Sequence, residues 1–82
     1  MPKIPRDITG KELARLLVRL GYSFVRQTGS HTRLEAKLAH RVHAITIPAH
    51  DPVKIGTLGS ILNEVAEAQQ MSKPDLLRIL FQ

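Results

Sequence analysis

Apolar residues fall three and four apart early in the chain and two apart in its middle, and that change of period divides the sequence into elements. Leu13, Leu16, Leu17 and Leu20 share one face of a predicted helix. Thr9, Gly10, Lys11 and Glu12 have the form of a capping box, with Ile8 and Leu13 at the positions of a hydrophobic staple. Gly21 ends the helix, because glycine enters the left-handed conformation without a Cβ penalty.

From Tyr22 the period is two. Tyr22 and Phe24 oppose Ser23 and Val25, which predicts a strand to about Gln27, followed by a turn at Thr28, Gly29 and Ser30. The next strand sets His31, Arg33, Glu35 and Lys37 on a wet face against Thr32, Leu34, Ala36 and Leu38 on a packed one. After a short turn near Ala39 and His40, residues Arg41 to Ile47 place His43, Ile45 and Ile47 opposite Val42, Ala44 and Thr46. Pro48 stops that strand. The connections are too short for parallel crossovers, so the strands form an antiparallel meander. A hairpin centred near residues 39 and 40 pairs positions summing to about 79, which sets His31 opposite Pro48 and brings His50 close to His31.

A second helix is expected from about Lys54 to Ala68, with Ile55, Leu58, Ile61, Leu62 and Val65 as its apolar stripe. Gly56 and Gly59 each cost up to about 1 kcal/mol there against Ala, and close packing against the sheet would account for them. Ser72 and Asp75 resemble another capping box, Met71 and Leu76 another staple, and Pro74 lies in the first turn of a short third helix over about residues 72–81. The fold class is therefore α+β, one domain with a core of about residues 7–67 and an added C-terminal helix.

With 82 residues, 43% of them hydrophobic and 23% charged, the chain has the composition of a small globular domain rather than a disordered segment. The absence of cysteine excludes disulfides, thiolate zinc sites and thiol nucleophiles. No apolar run approaches the ~18 residues of a membrane span, and Met1 to Asp7 lacks a signal-like apolar stretch, which places the chain in the cytoplasm by default. The formal charge of +5 favours polyanionic or acidic partners.

Two basic groups stand out. Lys11, Arg15 and Arg19, four apart on the first helix, form a stripe about 12 Å long at 1.5 Å per residue, which is also the pattern of a solvated helix face. Arg26, Arg33 and, more distantly, Lys37 lie on the strands. Four histidines are the side chains that titrate near neutrality. His31 follows Gly29 and Ser30 on the polar face beside Arg33, whereas His40 and His43 fall at the far end of the hairpin, some 25 Å away at about 3.3 Å per residue. His31 is the candidate general acid or base, with His50 the candidate second proton carrier. RNA suits such a pair: a base takes the 2′-hydroxyl proton, the oxygen attacks the adjacent phosphorus, and a donor protonates the leaving 5′-oxygen, without metal. Arg26 and Arg33 are placed to hold the phosphate. No helical His-x-x-x-His pair suggests a metal, and neither a phosphate loop nor a nucleophile elbow is spelled by residues 56–60.

The capped Leu-rich helix ending at Gly21, then Phe24, Arg26, Gln27, the triplet Gly29-Ser30-His31, the run Ile47-Pro48-Ala49-His50, and Gly56-Thr57-Leu58 before Ser60-Ile61-Leu62, together resemble the HicA toxin family over about residues 7–67. The resemblance implies a fold similar to a double-stranded-RNA-binding domain, α-β-β-β-α. It implies an mRNA interferase held inactive in a hetero-oligomeric complex with a HicB-type antitoxin, with the catalytic histidine at His31 and the family's later histidine at His50. Ser30 joins Lys11, Arg15, Arg19, Arg26, Arg33 and Lys37 as expected RNA-binding residues, and no cofactor is implied. The rival reading is a module of the same fold that binds RNA by shape and phosphate contacts without cutting it. Two features depart from the family pattern: Thr32 and Arg33 follow His31 where an aromatic residue or a second histidine is common, and Glu67 to Met71 intervene where the second helix often ends at glycine.

Overall fold

A computed structural model describes residue 4, residues 6–48 and residues 52–81. The elements run α1 (Gly10–Val18), β1 (Tyr22–Thr28), β2 (His31–Lys37), β3 (Val42–Pro48), α2 (Ile55–Ala68) and α3 (Lys73–Phe81). The three strands form one antiparallel sheet in the order β1-β2-β3, so the architecture is the expected α-β-β-β-α with an extra helix.

The capping box forms as predicted. The Thr9 hydroxyl accepts from the Glu12 amide at 3.1 Å, and the Glu12 carboxylate accepts from the Thr9 amide at 3.0 Å. That second bond, reinforced by the Thr9 side chain, holds the Glu12 carboxyl below its usual range. Helix α1 then tightens through i to i−3 bonds over Arg19, Leu20 and Gly21, and Gly21 turns the chain at φ +93°.

Leu13 and Leu17 of α1, Leu58, Ile61, Leu62 and Val65 of α2, and Leu76, Leu77 and Leu80 of α3 join Tyr22, Leu34, Ala36, Ile45 and Ile47 in one buried cluster. Helices α1 and α2 therefore cover the same face of the sheet, and α3 packs against α2 in the same cluster. The amide of Val53 donates to the carbonyl of Ile8 at 2.8 Å and ties the segment before α1 to the one before α2.

Three details differ from the pattern in the sequence. Ile55, the first residue of α2, is 54% exposed rather than part of the buried stripe. A Cβ added at Gly56 or Gly59 would meet nothing within 4 Å, so close packing is not the reason for either glycine. Phe24 shares the inner face with Leu34 by register but lies on an edge strand and stays 60% exposed.

The course of the tail is set by the end of α2. Gln70 adopts φ +56°, its amide donates to Glu67, and the Met71 amide donates to Ala66, which together make a Schellman ending with glutamine in the place glycine usually takes. The chain reverses into α3, whose start is capped by the Ser72 hydroxyl accepting from the Asp75 amide at 3.2 Å. The Asp75 carboxylate pairs forward with Arg78 at 2.5 Å, so only half of the predicted capping box is present.

Candidate active site

The site is built on the β1-β2 hairpin. Its turn is Gly29-Ser30, with Gly29 at φ +56°, the left-handed conformation that a two-residue hairpin needs at its first central position. Thr28 and His31 close the turn as a pair, and His31 faces Pro48 on the other side, the partner expected from the hairpin arithmetic. His31 is exposed, and among the described residues its ring makes no hydrogen bond. His50, Ala49 and Asp51 lie outside the described residues.

A bulge in β1 sets the neighbours of His31. Phe24 pairs with Leu34, but the next paired residue is Arg26, opposite Arg33, so Val25 is the extra residue. Without that insertion Arg26 would share the parity of Tyr22 and Phe24 and point toward the core. With it, Arg26 and Arg33 stand directly opposite one another on the face away from the helices, the face that also carries His31. Cross-strand like charges repel. Arg33 is partly relieved by Glu35, whose carboxylate lies 3.6 Å from its Nε, but both side chains are over a third exposed and such pairs contribute at most about 1 kcal/mol. The arrangement favours an anion between the two guanidinium groups, about two strand residues, or 7 Å, from His31.

The remaining predicted RNA contacts are spread out. Ser30 is exposed in the turn beside His31. Lys37 ends β2 opposite Val42, roughly 20 Å along the strand from His31, too far to touch the same phosphate. Lys11, Arg15 and Arg19 are exposed on α1, which lies on the covered side of the sheet, so the helix stripe and the strand arginines occupy different layers.

Sequence reasoning missed a second histidine site. His43 pairs with Ala36, about 17 Å along the strand from His31 and nearer than the hairpin estimate, and it faces inward. Its Nδ1 lies 2.6 Å from the Tyr22 hydroxyl, the rings meet edge to face at 5.7 Å, and its Nε2 is 3.9 Å from Glu64 of α2. The Tyr22 hydroxyl and Nδ1 therefore share a hydrogen bond, while Glu64 lies beyond hydrogen-bond distance of Nε2. Burial pushes the His43 imidazole below its ordinary value, aided by Arg41, and outweighs the opposing pull of Glu64 and Glu67 because the Glu64 carboxylate is largely in water. Burial likewise pushes the Tyr22 phenol up. The signal in the sequence was the alternation that put His43 on the face of Ile45 and Ile47; its partners come from β1 and α2.

Among the described residues no group of three or more His, Asp or Glu side chains is placed to hold a metal ion, and no helix is long and apolar enough to cross a membrane. A family model described as the HicA toxin of bacterial toxin-antitoxin systems matches residues 10–66. No curated protein and no solved structure matches the chain.

Proposed function

We propose, on the premise that this chain belongs to the HicA toxin family of bacterial toxin-antitoxin systems, that it is a metal-independent endoribonuclease which cuts mRNA and is silenced by a HicB-type antitoxin. The observation that carries this reading is the placement of an exposed His31, its ring without a hydrogen bond among the described residues, beside two opposed arginines on the face of the sheet away from the helices.

In the reaction, the neutral imidazole of His31 accepts the proton of a ribose 2′-hydroxyl. The 2′-oxygen forms its bond to the adjacent phosphorus as the bond to the 5′-oxygen breaks, and a second group returns a proton to that oxygen, with His50 the residue proposed for it. The products are a 2′,3′-cyclic phosphate and a free 5′-hydroxyl. Arg26 and Arg33 hold the phosphate and offset the charge that grows on it in the transition state, while Ser30 lies at the turn where the strand of RNA passes. Gripping the phosphate costs Arg33 only its weak contact with Glu35. Lys37 extends the contact to a more distant phosphate.

The test is purified protein incubated with RNA in EDTA. Fragments ending in cyclic phosphate are expected. RNA that is retarded in a gel but remains intact would favour the binding module instead, and cleavage that requires added divalent metal would refute the mechanism.

A further inference from the structure

The described surface holds a groove of about 690 Å³ that the proposed chemistry does not use. Its floor is apolar: Ile8, Leu16 of α1, and Leu80 and Phe81 at the end of α3. Arg6, Arg15 and Arg19 stand along it, and none of the three has a carboxylate within 4 Å among the described residues. Asp7 and Glu12 also line it, but the Glu12 carboxylate is committed to the Thr9 amide.

The groove is assembled from pieces on both sides of the family match. Residues 6–8 precede the matched span and α3 follows it, while only the α1 wall lies inside residues 10–66. Membership in the family therefore does not supply it. Two facts determine the kind of ligand. An apolar floor rewards apolar side chains, which a phosphate backbone does not offer. Three guanidinium groups with no carboxylate within 4 Å among the described residues stand beside that floor and reward carboxylates, which Arg matches with two parallel donors. The volume lies within the ~300–1,000 Å³ range of ligand clefts and suits a few side chains of a longer segment.

We infer that this groove seats an acidic, amphipathic segment of the antitoxin, with its apolar residues on Leu16, Leu80 and Phe81 and its carboxylates toward Arg6, Arg15 and Arg19. The inference rests on the proposed antitoxin partnership and deepens it: the partner grips the helical layer, on the side of the sheet opposite His31. In this arrangement Arg15 and Arg19 serve protein recognition first.

The experiment uses the full chain and the proposed HicB-type antitoxin, with affinity read in solution. The double variant Arg15→Glu/Arg19→Glu should weaken the complex about tenfold or more, and Arg6→Glu should weaken it less, with circular dichroism unchanged because all three side chains are exposed. Phe81→Asp should weaken it independently, and its RNA cleavage should match the unaltered chain if it stays folded. A complex that forms with full affinity despite the double and Arg6 variants overturns the inference but leaves the antitoxin reading intact. No complex with the unaltered chain overturns both. Loss of RNA retention in the double variant with antitoxin affinity unchanged would make the groove an RNA surface and also overturn the inference.

Discussion

His31 opens β2 on the face of the sheet away from the helices at an exposed turn, whereas His43 lies within β3 on the face the helices cover, with Tyr22 on one ring nitrogen and Glu64 near the other. The side chains are identical and the surroundings are not. A ring with one nitrogen hydrogen-bonded to Tyr22 and the other facing Glu64 is turned toward protein groups, and burial pushes its imidazole below the ordinary value. A ring with neither nitrogen engaged among the described residues is available to a substrate, and the two arginines placed by the bulge give it one to act on. Exchangeable protons near neutrality are thus a necessary feature of a catalytic histidine, and the freedom of the ring nitrogens distinguishes it.

The sharpest way to break the contrast is to remove each ring in turn. His31→Ala should reduce RNA cleavage by roughly 10²- to 10⁴-fold, the usual contribution of a positioned acid or base, while the melting temperature stays within a degree or two. If the variant cuts at the normal rate, the assignment fails. His43→Ala should do the reverse: stability falls by about 1–3 kcal/mol in urea titration as the Tyr22 hydroxyl loses its partner, with cleavage per folded molecule little changed. Equal loss of activity from both variants would erase the distinction.

Next in size is the phosphate grip. RNA affinity should fall with salt on a log-log slope of about −0.7 per phosphate neutralised, and Arg33→Gln should reduce the magnitude of that slope by about 0.7. An unchanged slope would remove Arg33 from the interface.

The pH dependence of folding addresses His43 alone. Its folded-state value lies below the ordinary 6.5 of an unfolded histidine, so between the two the unfolded chain binds the extra proton. The stability from this site is fully present above about pH 6.5 and is lost as pH falls through 6.5 toward the lower folded value. Urea midpoints measured from pH 8 to 5 should show that decline in the unaltered chain and a smaller one in His43→Gln. The smallest expected effect comes from the backbone: Gly59→Ala, with open space around its new methyl group, should stabilise α2 by up to about 1 kcal/mol in the same titration.

Much of the frame was legible in the residues because local interactions produce it. The Thr9 box, the Gly21 stop and the alternation over His31 to Lys37 are short-range signals, and the pairing of His31 with Pro48 followed from counting outward from a short turn. The α2 ending was harder, since Gln70 adopts a conformation that glycine usually signals. The bulge at Val25 left no mark in the pattern. An inserted residue reverses the parity of everything beyond it, so Arg26 could be assigned to a phosphate from its type but not placed on the correct face from its spacing.

The sequence by itself determined the elements, their order, the pairing of β2 with β3 and the chemical type of the histidine at the turn, because periodicity, caps and short loops act between residues near one another in the chain. Only the tertiary structure decided that His43 meets Tyr22 while His31 stays exposed, that Arg26 stands against Arg33, and that residues 6–8 meet α3 beside α1 in a groove. Those outcomes depend on contacts between distant segments, where one bulged residue or one helix reversal changes which side chains meet, and no local pattern carries that information.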